Sequence, residues 1–450
     1  MNSTMDLIRE AFHYRSRFAG STLVFKIDFP VTAEAAFPSL MKDLALLAQT
    51  GFRIVLVPGS REWINTVLAE NGISTRRIQS PVHGSIRITS AKAMPFVEMA
   101  AFHAAGRFMT ALSASRCDSV AGNFVRARGL GVLDGCDMEH TGKVEKILVK
   151  PIAKILDSGM VAILPSIAWS SSGKPYNVQS DEIALSAAGA LGAVKLFIVT
   201  AGKNLSSLAF PEKSETAKQS SRSIRLTPKE AQAILELNKD EAESSVGTAE
   251  LSPAAKAVSE LKLALAALKA GVERIHIINS REEGAVLLEL FSNLGAGTMI
   301  HADEYEAIRP LETNDIPDVL RFMEPLIQQG ILIRRTTEAI QEKKDDYWVF
   351  GIDGQAHASG ALHRWGGQGE IAAVAADPLY AGMNLGRRVV GYLAEKARKS
   401  SLNRVFVLTT QTQDWFETLG FREASVDSLP QQKRQMYDQN RKSKVFALEL

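Results

Sequence analysis

The stretch from Glu370 to Lys396, EIAAVAADPLYAGMNLGRRVVGYLAEK, constrains the fold of this chain more than any other. A short apolar run, Ile371 to Ala375, reads as a buried strand and breaks at Asp377-Pro378. A turn containing Gly382, Asn384 and Gly386 follows, after which Val389, Val390, Leu393 and Ala394 recur at helical spacing. A strand that passes through a tight turn into a helix aims backbone N–H groups and the positive end of the helix dipole at one point. Arg387 and Arg388 stand where they add full charges. The spacing predicts a strand–turn–helix site for a pyrophosphate.

That unit occupies a small part of 450 residues, which are too many for one ordinary core and predict two or more domains. With 52 Lys+Arg against 50 Asp+Glu the net charge is +2, so nothing global favours nucleic acid or an acidic membrane surface. Cys117 and Cys136 are too few for a disulfide framework and lack zinc-site spacing, so no metal is expected. The opening MNSTMDLIREAFHYRSRF has no signal-peptide core, and no apolar run reaches the roughly 18 residues of a membrane span. A cytoplasmic protein is expected.

Spacing predicts a helix from Met5 to Phe18 ahead of the first strand. From Ser21 the order is strand (TLVFKI), helix (Ala33 to Gln49), strand (FRIVLVPG) and helix (Arg61 to Asn71). Such alternation belongs to an α/β domain with a parallel sheet. Further strands are predicted at Ser119 to Ala127, Val161 to Ile167 and Val194 to Thr200, with a helix at Ser180 to Leu191. Residues Ser206 to Val246 read as a polar excursion carrying one helix, Pro228 to Leu237, behind a Thr227 cap. A helix ending at Gly271, the strand VERIHIIN and a helix ending at Gly295 complete the first domain, 1–304. The second, 305–450, runs strand, helices, the strands YWVFGID, ASGALHRW and EIAAVAA, the turn and helix, RVFVLTT, a short helix and KVFALEL.

That order, with Gly420-Phe421 after Trp415-Phe416, resembles the GCN5-related N-acetyltransferases, which hold the acetyl-CoA pyrophosphate at such a turn. HIINSREEGAVLLELFSNLGAGTMI, LIRRT, VFVLTTQTQDWFETLGF and LPQQKRQMYDQNRKSKVF extend the likeness. Together the units resemble the bacterial N-acetylglutamate synthases, and the resemblance implies both the fold and the activity. The expected fold is α/β: an amino-acid-kinase-like three-layer sandwich with a mainly parallel sheet, then an α+β acetyltransferase domain. The implied reaction moves acetyl from acetyl-CoA to the α-amino group of L-glutamate, with L-arginine as feedback inhibitor and assembly into a homo-oligomer such as a hexamer. Two rival readings are acetylglutamate kinase activity and a non-catalytic arginine sensor.

Amino-acid kinases cradle ATP phosphates with glycine-rich turns after their first two strands. Here those turns read Lys26-Ile27-Asp28-Phe29-Pro30 and Pro58-Gly59-Ser60-Arg61, while Lys26 and the Asn177/Asp181 pair match kinase positions. With the glycines largely gone, the positioning that phosphoryl transfer needs is missing. The resemblance places arginine at Tyr14, His276, Glu289, Gly295 and Gly297, where Glu289 can take a guanidinium in two-point fashion. The residues alone equally permit a solvated Glu289 and a satisfied strand histidine.

In the second domain the transfer needs an uncharged amine, a polarised thioester and a departing thiolate. Glu370 is the first choice for the base, though a solvent-facing strand glutamate is the plain alternative. Acetyl-CoA is expected along Ala373, Val374 and Ala375, with its pyrophosphate over Gly382, Met383, Asn384, Leu385, Gly386 and Arg387. Ala381 replaces the family's first basic residue, and Asn384 occupies a glycine position it fills in left-handed conformation. Gly386 alternatively reads as a packing position. Phe416 replaces a tyrosine proton donor, which leaves Thr409, Thr410 or water. Arg334, Arg335, Arg441 and Lys444 are the candidate cations for the glutamate carboxylates.

Overall fold

The computed structural model describes residues 18–80, 84–133, 135–202, 204–211, 224–240, 252–291, 296–301, 306–352, 355–380 and 384–450. The expected helix from Met5, apart from Phe18, lies outside them, as do Tyr14, Gly295, Ala381, Gly382 and Met383. The chain divides into two compact units, Met1–Asp303 and Glu304–Leu450.

Unit 1 is built on β1 (Thr22–Asp28), β2 (Arg53–Gly59), β3 (Ser119–Ala121), β4 (Val161–Ile163), β5 (Lys195–Thr200), β6 (Ile224–Leu226), β7 (Arg274–Asn279) and β8 (Thr298–His301). They form one eight-stranded sheet in the order β6-β8-β7-β5-β1-β2-β4-β3. Its pairings are parallel except that between β7 and β8. The central strands read as continuous apolar runs because both faces are covered. On one face Leu23, Phe25, Leu56 and Phe197 pack with α1 (Phe37–Gln49) and α3 (Met94–Ala114), while α2 (Arg61–Glu70) follows β2. On the other, Val24, Val55 and Leu196 pack with α4 (Ser180–Ala190) and α5 (Pro253–Lys269). A short helix, α6 (Ala285–Phe291), precedes β8.

Two predicted strands are each divided between this sheet and a separate four-stranded one. Ser119–Ala121 lies in the large sheet but Val125–Gly129 in the small, and Val161–Ile163 parts likewise from Ile167–Trp169. Pro165, which has no N–H to give a ladder, sits in the second break. Helix α3 has no counterpart in the periodicity. Ala100, Ala101, Ala104 and Ala105 are buried while Met99 and Phe102 are exposed, so apolar residues fall on both sides and the contrast disappears. The Thr227 cap is present as a full capping box on Pro228–Leu237.

Unit 2 contains β9 (Glu306–Pro310), β10 (Tyr347–Ile352), β11 (Gln355–Trp365), β12 (Gln368–Ala376), β13 (Arg404–Thr409), β14 (Arg422–Ala424) and β15 (Lys444–Glu449). Their order is β9-β10-β11-β12-β13-β15-β14, antiparallel except between β12 and β13. Helix α7 (Ile316–Gln328) buries Ile316, Val319, Phe322 and Met323 against Ala361, Ala373 and Ala375. Helix α8 (Leu385–Lys399) buries Val389, Val390 and Leu393. A Cβ on Gly360 of β11 would lie 2.7 Å from Val389 Cγ1 and 2.8 Å from Leu393 Cδ1, so the close seating of α8 requires glycine there. A short helix, α9 (Gln413–Thr418), follows β13.

Candidate functional site

Among the described residues of unit 2 the one parallel pair, β12 with β13, separates almost as soon as it forms. Gln368 faces Arg404, Gly369 faces Val405 and Glu370 faces Phe406, and among the described residues the ladder goes no further. Along Ile371–Ala376 the backbone groups on this side of β12 therefore have no strand partner. A β-bulge accompanies the separation. Against β11, Ala361 opposes Ala372 and Ser359 opposes Ala375, so Ala373 and Val374 share the place of Gly360. Ala373 has φ 53°, and Ser359 Oγ donates to its carbonyl at 3.1 Å. The bulge bends β12 at the three residues that the sequence assigns to the acetyl donor.

At the exit of β12, Asp377 is buried and ion-paired to Arg321 of α7 at 2.9 Å. Its N–H donates to His357 O at 2.8 Å, and Tyr380 N donates back to Asp377 O at 3.0 Å. Asn384 then caps α8 with φ 56° and ψ 28°, the left-handed conformation expected for it. The amides of a first helical turn have no acceptor within their own helix. Trp415 lies over this end, with a Cβ on Gly386 falling 3.5 Å from its ring. Arg387 Nη2 donates to Thr418 O at 2.9 Å. Arg388 stacks over the Phe350 ring, 4.3 Å from its centroid.

Glu370 stands where β12 and β13 begin to part. It is buried, unlike a solvated strand glutamate. Oε2 accepts from Trp365 Nε1 at 3.0 Å, and Oε1 is 2.7 Å from Lys433 Nζ. Thr409 is also buried; its hydroxyl is 2.7 Å from that of Thr412 and accepts from Thr412 N at 3.0 Å. Phe416 is packed edge-on between Trp415 and Phe421.

The carbonyls after α7 gather two of the predicted residues. Arg441 Nη2 donates to Ile331 O at 2.8 Å, and Thr410 Oγ1 to Gly330 O at 3.4 Å. Arg335 follows in the same segment, donating to Ile333 O at 3.2 Å, while Arg334 is ion-paired to Glu324 at 2.7 Å. Lys444 pairs instead with Glu423 at 3.4 Å. The partners Lys433, Ser359 and Arg321 were missed from sequence. Of these only Lys433 carried any signal, lying within LPQQKRQ.

In unit 1, His276, Glu289 and Gly297 come together at β7, α6 and β8. His276 Nδ1 and Glu289 Oε1 are 2.9 Å apart, and Ala296 N donates to Glu289 Oε2 at 2.6 Å. Burial pushes the His276 pKa down to about 4, against the opposing pull of Glu289. Burial works to raise the Glu289 pKa, but bonds from His276 and Ala296 N hold it below the usual range. A Cβ on Gly297 would lie 2.4 Å from Ile277 O, so no side chain fits there.

Residues 28–279 match the amino acid kinase family and 317–421 the acetyltransferase (GNAT) family. The amino-acid acetyltransferase of Escherichia coli K12 is 33% identical over 98% of this chain and 97% of its own length. The chain belongs to the amino-acid acetyltransferase family.

Another member, from Vibrio atlanticus, is 31% identical over 98% of this chain and 97% of its own. The crystal structure of Neisseria gonorrhoeae N-acetylglutamate synthase complexed with coenzyme A and L-arginine matches over 100% of both chains, with TM-score 0.82 and 29% identity. The same enzyme complexed with coenzyme A and N-acetyl-glutamate matches over the same extent at TM-score 0.58 and 30% identity.

Among the described residues no group of three or more His, Cys, Asp or Glu is placed to hold a metal ion, and no helix is long and apolar enough to cross a membrane.

Proposed function

We propose that this acetyltransferase moves the acetyl group of acetyl-CoA to the α-amino group of L-glutamate, in residues 305–450. Residues 1–304 form its arginine-responsive regulatory domain. The observation that carries the reading is the early parting of β12 from β13, with the bulge at Ala373 and Val374 and left-handed Asn384 beyond it. Pantetheine amides pair with the open backbone groups of Ala373, Val374 and Ala375, and the pyrophosphate meets the turn and the first amides of α8.

Glu370 takes the proton of the substrate ammonium, directly or through one water, and the freed amine attacks the thioester carbonyl. The acetyl C–S bond breaks, and the thiolate leaves without a strong acid because its conjugate thiol has a pKa of about 8.5. Thr409, Thr410 or water returns the proton. Arg335 and Arg441 meet the glutamate carboxylates, with Arg334 and Lys444 beside them. Arginine binds at His276, Glu289 and Gly297, together with Tyr14 and Gly295, and inhibits. The reading includes a cytoplasmic homo-oligomer, possible as a hexamer and measurable by light scattering.

The test is thiol release from acetyl-CoA across a panel of amino acids. Glutamate should give the highest kcat/KM, and arginine should suppress that rate. Equal turnover of aspartate, or indifference to arginine, would sink the corresponding part.

A further inference from the structure

Strand β11 carries a second bulge, on the side that it shares with β10. Phe350 opposes Ala358 and Gly351 opposes Ala356, so His357 is the extra residue between them. A bulged residue leaves the alternation of its strand, and its side chain is aimed where the register would not send it. Here the imidazole meets the exit of β12. Nδ1 lies 3.6 Å from Asp377 Oδ2, and the ring centroid lies 4.2 Å from that of Tyr380.

His357 is 4% exposed, and neither of its ring nitrogens has a hydrogen-bond partner among the described residues. The 3.6 Å gap to Asp377 is too long for such a bond. Buried polar atoms in this state cost stability, and a phenylalanine carries the same kind of ring without them. Positions that work against stability collect where function needs them.

The contacts of Asp377 show what that function is. Arg321 Nη2, from α7, lies 2.9 Å from Asp377 Oδ2, the same oxygen that His357 faces, and also reaches Asp318 at 3.4 Å. The backbone adds two bonds, from Asp377 N to His357 O and from Tyr380 N to Asp377 O. Strand β11, helix α7 and the end of β12 therefore converge on one buried carboxylate. Asp377 and Tyr380 begin the connection that Asn384 ends at α8. Its course is held at one end by this cluster and at the other by the left-handed cap.

We propose that His357 is a positioning residue for the acetyl donor. With Arg321 it holds Asp377 and Tyr380, and through them the connection from β12 to α8, in the course that receives the pyrophosphate. This rests on the reading that acetyl-CoA binds at that connection. Because His357 acts through Asp377 and Tyr380, its loss belongs in the KM for acetyl-CoA and not in kcat.

The test is His357→Phe in the full-length protein, which keeps a ring beside Tyr380 and removes the two unmatched nitrogens. The urea midpoint should equal or exceed that of the parent. The KM for acetyl-CoA should rise at least about fivefold, with kcat and the KM for the amino-acid acceptor within about twofold. His357→Gln, which returns an amide toward Asp377, should bring the donor KM back to within about twofold of the parent. An unchanged donor KM in His357→Phe overturns the proposal. A raised donor KM accompanied by a lowered urea midpoint also overturns it, by assigning the effect to damaged packing. If His357→Phe does not fold, Arg321→Gln should give the same division between donor KM and kcat, and an unchanged donor KM there is equally fatal. Asn384→Val separates this proposal from the reading beneath it. A raised donor KM in Asn384→Val with none in His357→Phe leaves the donor at the connection and removes only His357, whereas an unchanged donor KM in both removes the donor from the connection.

Discussion

Lys433 Nζ stands 2.7 Å from Glu370 Oε1 at the point where β12 leaves β13. Trp365 Nε1 occupies the other carboxylate oxygen, so Glu370 is held in one orientation by partners on both sides. Replacing Lys433 by Met should destabilise unit 2 by about 2–4 kcal/mol, because it strands a largely buried carboxylate. Adding Glu370→Gln should recover much of that loss. A double-mutant cycle in urea measures the coupling, and additive losses would show that the ion pair carries none.

Glu370→Gln by itself should lower kcat by about 100-fold or more, the usual scale for loss of a general base. The KM for acetyl-CoA should remain within about twofold, since the donor cradle we propose lies elsewhere on β12. Steady-state kinetics at saturating donor decide this. Unaltered kcat would remove Glu370 from the role.

Asn384 sits at φ 56°, a conformation that glycine takes freely and β-branched residues resist. Asn384→Gly should therefore leave the KM for acetyl-CoA nearly unchanged. Asn384→Val should raise it roughly tenfold, through strain of about 1–2 kcal/mol at the helix start. Equal KM values for the two variants would show that the turn does not govern donor binding.

Ser359 donates to the carbonyl of Ala373 inside the bulge. Ser359→Ala leaves that buried oxygen without its donor and should cost about 1–3 kcal/mol. Ser359→Thr, which keeps the hydroxyl, should cost less. Matched losses for the two would mean that volume, not the hydrogen bond, sets the effect.

His276 is held neutral by burial, with its pKa near 4 against 6.5 for the ordinary group. A lowered pKa means that the unfolded chain takes a proton between about pH 6.5 and 4 which the folded chain refuses. Stability is accordingly present above the unfolded value and falls as pH drops through this window, by up to about 1.4 kcal/mol per pH unit. His276→Gln should remove this component from the pH dependence of unit 1 unfolding. A slope unchanged in the variant would assign it to other groups.

Much of the fold was legible because its signals act over a few residues. The apolar runs that became β1, β2, β5 and β7 needed only to be buried on both faces. The Thr227 cap and the left-handed residue at Asn384 follow from side chains acting on their own backbone. The same locality explains the failures. Helix α3 is apolar on both sides and so lacks a period, and the strands predicted at Ser119 and Val161 leave one sheet for another at positions that periodicity does not mark.

The amino-acid sequence by itself determined two units in order, a kinase-like sheet with altered turns, and a strand followed by a helix behind Asn384. Only the tertiary structure decided where the charges go. It joined Glu370 to Lys433, turned Arg387 to Thr418 O and Arg334 to Glu324, and put Arg77 opposite Arg87 in one hairpin. It also placed the bulge at Ala373, a residue whose type gives no sign of a positive φ. Caps and periodicity are read from neighbours along the chain, whereas ion pairs and bulges are fixed by packing between segments far apart in it.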